Sequence, residues 1–184
     1  RFINYNTANT PGLKSNRVFS FSEDSNGRIW IGTFIKGLHY YDNKNNTFVH
    51  CESKSFTENA LDNAFIRKVF VDSDNVLWVG TILGLYQVSL KNDSDFKVTN
   101  MRDAMFKDKT KYNSIQTILS IYESNDKTIW IGTDGEGLFN YNKKQRTFSN
   151  YNNFPGFKEK SVRAIISDNN GSLWISGGSG LTKL

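Results

Sequence analysis

The sequence predicts an all-β fold: a β-propeller segment of about four repeats of four-stranded antiparallel blades, incomplete at both ends. Three observations predict it. The phrase DSNGRIWIGT at 24–33 returns as NVLWVGT ending at Thr81, as KTIWIGT ending at Thr133 and, more faintly, as GSLWISG ending at Gly177. The four tryptophans, Trp30, Trp78, Trp130 and Trp174, are separated by 48, 52 and 44 residues, which is the period of propeller blades. Apolar positions keep one register around them. Twelve residues before each Trp stand Val18, Ile66, Ile118 and Val162, and nine before stand Phe21, Val69, Ile121 and Ile165. A Gly-Leu pair follows each Trp by six or seven residues: Gly37-Leu38, Gly84-Leu85, Gly137-Leu138 and Gly180-Leu181.

Each element follows in order. RVFSFSE, IRKVFVD, TILSIYE and VRAIIS are short runs rich in β-branched and aromatic residues, and each reads as a first strand. Asp24-Ser25-Asn26-Gly27 supplies a tight turn, Asp168-Asn169-Asn170-Gly171 another, and the second repeat has Asn75 in the glycine place. The third has Lys127 there, so its turn is expected to sit on Asn125-Asp126 instead. RIWIGT is a second strand, and its glycine lets a neighbouring chain approach closely. GLHYYD, GLYQVS and GLFNYN make third strands. TFVHC, DFKVTN and TFSNYN make fourth strands, anchored by Phe48, Phe96 and Phe148. RFINYN at the start reads as the fourth strand of a preceding blade, with Phe2 as its anchor. The chain is thus one propeller segment, 1–184, divided as 1–16, 17–51, 63–100, 114–152 and a truncated 161–184. Adjacent apolar residues such as Trp30-Ile31 and Trp78-Val79 indicate strands buried on both faces, as between stacked blades. The tryptophans and the repeat glycines Gly37, Gly84, Gly137 and Gly180 therefore read as structural: Trp wedges between blades, and Thr ends the strand.

Composition bounds the rest. Hydrophobic residues make up 38% of the 184 and aromatics 14%, enough for a core. No apolar run is long enough to span a membrane as a helix. Cys51 is the single cysteine, which excludes an internal disulfide or a cysteine zinc cluster. The net charge of +5 suits an acidic partner. Its densest clusters, Lys107–Lys111 and Lys143–Arg146, fall in loop-like stretches and read as solvated, so nucleic acid is not expected.

The stretches EDSNGRIWIGTFIKGLHYYDNKNNTF and NDKTIWIGTDGEGLFNYNKKQRTF resemble the two-component regulator propeller repeat, and NTPGLKSNRVFSF resembles that family's linker between repeats. The resemblance implies the periplasmic sensor region of a hybrid two-component protein of the Bacteroides type. There further repeats would be partners of these, and kinase and receiver parts would lie elsewhere in the parent protein. The stimulus it implies is an oligosaccharide. Nothing here matches a kinase.

Candidate chemistry is sparse. His39 and His50 show no ligand-like spacing and read as surface or partly packed. Asp72–Asn75 opens like a calcium loop, but its twelfth position is Leu83, where a bidentate Glu is required. No catalytic residue, metal or cofactor is expected. The place to look for a ligand is the variable slot between the Thr and the Gly-Leu pair: Phe34-Ile35-Lys36, Ile82-Leu83 and Asp134-Gly135-Glu136. The frame is fixed and the insert changes, which is how propellers graft binding onto scaffold. Phe34, Lys36, Asp134 and Glu136 are the candidate ligand contacts. A propeller lyase or hydrolase is the alternative, requiring a His and a carboxylate to converge, and a protein-binding scaffold is a third. Too few blades for a closed ring predicts that the segment alone self-associates.

Overall fold

The computed structural model of the chain describes residues 2–51, 61–90, 96–106, 116–152 and 154–184. The first repeat forms β1 (Val18–Glu23), β2 (Ile29–Thr33), β3 (Leu38–Asp42) and β4 (Thr47–His50), paired in that order. The second forms β5 (Ile66–Val71), β6 (Val76–Thr81), β7 (Gly84–Ser89) and β8 (Lys97–Asn100), followed by a single-turn helix, α1 (Arg102–Met105). The third forms β9 (Ile118–Glu123), β10 (Ile129–Thr133), β11 (Leu138–Asn142) and β12 (Thr147–Asn150). The fourth forms the three-stranded sheet of β13 (Val162–Ser167), β14 (Leu173–Gly177) and β15 (Leu181–Lys183). The repeat register of the sequence is the register of these sheets.

The β1–β2 turns are type I turns closed by a residue in the left-handed region, a geometry that suits the twist of paired strands. Gly27 N donates to the Asp24 carbonyl at 2.9 Å, and φ at Gly27 is +78. The third turn sits on Asn125-Asp126, as expected, in the same register as the others. Lys127 N donates to the Ser124 carbonyl at 2.9 Å, and Lys127 itself takes φ +68. The hairpin demands a left-handed residue at this place, and Lys accepts it at a cost of about 1–2 kcal/mol.

A bulge sits at the same point of three first strands. Pairing slips between Val18 and Ser20, between Ile118 and Ser120, and between Val162 and Ala164. One extra residue turns the strand over locally. Positions twelve and nine before the Trp, an odd number apart, can then face the same way.

The chain divides into two compact units, Arg1–Val79 with Gln87–Thr99, and Gly80–Tyr86 with Asn100–Leu184. In the first unit, Ser20 Oγ accepts from Val69 N at 3.1 Å and Ser22 Oγ from Val71 N at 2.9 Å, which ties β1 to β5. Gly32 lies so near β5 that a Cβ there would come within 2.5 Å of Ile66 Cγ2. Trp30 is fully buried and meets Phe96 edge-on at 5.2 Å. In the second unit, a Cβ on Gly80 would come within 2.7 Å of Ile118 Cγ2, and one on Gly132 within 2.5 Å of Val162 Cγ1. Trp130, Leu138, Phe157, Val162, Leu173 and Ile175 form one core. Each fully buried Leu or Ile in these cores contributes about 1.5–3 kcal/mol of transfer free energy. Trp78 is fully buried and Trp174 half-buried.

The indoles have polar partners as well. Asp24 Oδ2 accepts from Trp30 Nε1 at 2.8 Å, while Oδ1 accepts from the N–H of Asn26 and Arg28. Asp72 holds Trp78 in the same manner at 2.9 Å, and Asp168 holds Trp174 at 2.9 Å. In the third repeat Ser124 Oγ accepts from Trp130 at 3.1 Å. One side chain therefore closes the turn and fixes the wedge.

Residues 2–6 form no strand, and Phe2 is fully exposed, contrary to its expected role as an anchor. A fourth strand is held only by pairing to a third, and none lies beside this stretch among the described residues. It is tied instead by local bonds such as Asn6 N to Asn9 Oδ1 at 2.9 Å, and Tyr5 rests on Phe48 with ring centroids 4.9 Å apart.

Candidate functional site

The slots open where each second strand ends. Thr33 Oγ1 lies 2.8 Å from the Gly37 carbonyl, Thr81 Oγ1 3.0 Å from that of Gly84, and Thr133 Oγ1 2.9 Å from that of Gly137. These threonines are buried. Each closes its loop from below, so residues can vary above a fixed base. Gly37 is needed for close approach: its φ is +59, and a Cβ would run into the Leu61 carbonyl oxygen.

In the first slot Phe34 is half-buried, and its ring meets Phe65 at 3.9 Å and Phe19 at 5.9 Å. The Arg17 guanidinium lies over Phe34 at 5.0 Å, and that of Arg67 over Phe19 at 4.9 Å. Lys36 is exposed at φ +81, and its carbonyl lies 2.8 Å from His50 Nε2. In the third slot Asp134 accepts from Ser161 Oγ at 2.5 Å, and the Glu136 carbonyl accepts from Asn152 Nδ2 at 2.6 Å. Gly135 N and Gly137 N both donate to the Lys160 carbonyl. This slot is thus laced to the linker that enters the fourth repeat. Beside it lies a cavity of ≈ 580 Å³ lined by Glu136, Asn152, Phe157, Lys158, Glu159 and Lys160. Glu159 accepts from Ser179 N at 3.2 Å, and the Ser179 hydroxyl, bonded to the same carboxylate, holds its pKa below the usual range. Phe34 and Lys36 belong to one unit, Asp134 and Glu136 to the other.

The histidines are cross-strand partners, with rings 4.6 Å apart. His39 is fully buried, not at the surface, and its Nε2 accepts from Lys14 N at 3.2 Å. Burial, then the neighbouring His50, pushes its pKa down to about 4. Of the two rings that the alternative enzyme reading could use, His39 is thus a core acceptor, while His50 beside it stays half-buried. Among the described residues no group of three or more His, Cys, Asp and Glu could hold a metal. Burial also pushes the Cys51 thiol up, out of reach of reactivity at neutral pH. Lys143 pairs with Glu123 at 2.6 Å and is not wholly solvated, whereas Lys107–Lys111 lies outside the described residues.

Arg17, Phe19, Phe65 and Arg67 were not singled out in the sequence, yet a signal is present. Thirteen and eleven residues before the Trp, the first repeat has Arg17 and Phe19, the second Phe65 and Arg67, the third Thr117 and Leu119. The strand is fixed around them while these two places vary.

The family profile of the two-component regulator propeller matches residues 12–34, 60–82 and 113–135. Those three stretches match the two-component regulator propeller repeat. Over 167 residues, 90% of the chain, it is 29% identical to histidine kinase P4 of Formosa agariphila, of which it spans 12%. Among solved structures it resembles the extracellular domain ascribed to the hybrid two component system BT3049 of B. thetaiotaomicron, with 26% identity, TM-score 0.74, 99% of this chain and 23% of that one. The corresponding domain of BT4673 gives 20% identity and TM-score 0.73 over 92% of this chain and 21% of that one, a likeness of fold. Virginiamycin B lyase of Staphylococcus aureus shares the fold at 12% identity and TM-score 0.61, over 91% of this chain and 55% of that one. The β-propeller class expected from the sequence is thereby borne out, and these sheets are its blades.

Proposed function

We propose that this chain is part of the extracytoplasmic, periplasmic sensor propeller of a hybrid two-component protein whose kinase lies outside it, and that its stimulus is an oligosaccharide. The observation that carries the reading is the match of 99% of the chain to an extracellular domain ascribed to a hybrid two component system. The site geometry supports it. Variable loops stand on threonine-closed bases, and one borders a cavity whose carboxylates, lysines and amide suit a ligand rich in hydroxyls. The chain itself performs no catalysis in this reading: the buried His39 has the backbone N–H of Lys14 as its hydrogen-bond donor.

The partners of the exposed faces of the first and fourth sheets are, in this reading, other propeller repeats. Val69, Ile121 and Ile165 are 1–8% exposed, but Phe21, at the same position of the first sheet, is 73% exposed. Leu38, Leu85 and Leu138 are fully buried, but their counterpart Leu181 is 66% exposed. Both faces have the residues of a blade interface, filled by further repeats or, for this chain alone, by a second copy.

Screening the full-length protein by calorimetry against neutral and acidic oligosaccharides tests the sensing role. Saturable binding of at least one is expected. Failure of every saccharide to bind would remove the oligosaccharide reading.

A further inference from the structure

The aromatic cluster of the first unit carries a narrower conclusion, which rests on the saccharide-sensing reading. Phe19 on β1, Phe34 in the first slot and Phe65 just before β5 form a contiguous set, with centroids 5.9 Å apart for Phe19–Phe34, 5.8 Å for Phe19–Phe65 and 3.9 Å for Phe34–Phe65. Phe19 is 45% exposed and the other two are half-buried, so the cluster reaches solvent. Two guanidiniums flank it, Arg17 over Phe34 and Arg67 over Phe19 and Phe65. Neither forms an ion pair among the described residues, whereas the buried Arg28 is paired with Asp24 at 2.7 Å.

A guanidinium stacked on a ring spends its face on the ring and keeps its in-plane N–H donors free for an anion. Those donors match a carboxylate or sulfate bidentately. Aromatic faces, meanwhile, offer large rigid apolar area at little entropic cost, suited to the C–H face of a pyranose ring. The loop geometry holds the two together: Phe34 N donates to the Arg17 carbonyl at 3.0 Å, so the slot and the start of β1 form one piece. Exposed Lys36 follows in the same loop, and the net charge of +5 favours the approach of polyanions.

We propose that Arg17 and Arg67, set around Phe19, Phe34 and Phe65, bind an anionic saccharide, the acid group taken by the guanidiniums and a sugar ring laid on the phenyl faces. A neutral glycan would leave two unpaired guanidiniums facing it and gain nothing from them.

Calorimetry on the full-length protein tests this with a hexagalacturonate, a κ-carrageenan hexasaccharide (sulfated, with no uronate), neutral maltohexaose and a thymidine hexanucleotide. One or both acidic saccharides should bind, the uronate and sulfate arms separating the two anion sources, and binding should weaken as salt rises. Arg17→Gln with Arg67→Gln should weaken it about tenfold or more, as expected for lost charge-assisted bonds. Phe34→Leu should weaken it with the salt dependence unchanged. Circular dichroism of each variant checks that the sheets persist. Binding of maltohexaose but of neither acidic saccharide overturns this proposal and leaves the saccharide-sensing role standing. No binding by any saccharide overturns both. Equal binding of the hexanucleotide, or acidic binding untouched by the double Arg variant, also overturns it.

Discussion

Asp24, Asp72 and Asp168 each satisfy the indole N–H of a Trp six residues on and two backbone N–H groups of their own turn. The sequence showed these aspartates as turn residues. It did not show the indole bond, because six residues along a hairpin say nothing of distance until the two strands are paired. The same holds for His39 and His50, eleven residues apart in sequence and directly opposite across β3 and β4. Burial of His39 has a consequence for stability. Its pKa falls from 6.5 to about 4 on folding, so below pH ~6.5 the unfolded chain takes up a proton that the folded chain refuses. This group therefore removes stability as pH falls through that window and contributes no pH dependence above it. Urea unfolding at pH 7.5 and 4.5 should show the decline in the natural chain. His39→Gln, which retains an acceptor for Lys14 N, should reduce it. An identical decline in both would show that His39 is not the titrating group.

At the scale of the element, the strands were legible because each is short, bounded by turn residues and repeated. What was not legible was the bulge in the first strands, which lets two apolar positions three apart, such as Ile118 and Ile121, share one face. RFINYN misled for a related reason: its pattern resembles a fourth strand, but pairing needs a neighbour, and pattern does not supply one. The slots were visible as variable inserts. Arg17, Phe19, Phe65 and Arg67 escaped because they vary within a strand instead of between strands. Packing between successive sheets gives the sharpest test at this scale. Gly32→Ala places a methyl group within 2.5 Å of Ile66 Cγ2 and should destabilise by about 1–3 kcal/mol. In an Ile66→Ala background the added cost should shrink by ~0.5 kcal/mol or more, the size of coupling expected between touching residues. Simple additivity in denaturant titrations would mean that the two sheets do not meet there.

At the scale of the whole molecule, the proposal that further blades cover the exposed sheet faces predicts that this chain alone self-associates. Val69, Ile121 and Ile165 are buried, whereas Phe21 of the first sheet and Leu181 of the fourth are exposed. Multi-angle light scattering of this 184-residue chain at low micromolar concentration measures it directly. The chain should run well above its 21.0 kDa, and Phe21→Asp with Leu181→Asp should return it to monomer. A natural chain that stays monomeric under those conditions would contradict the account.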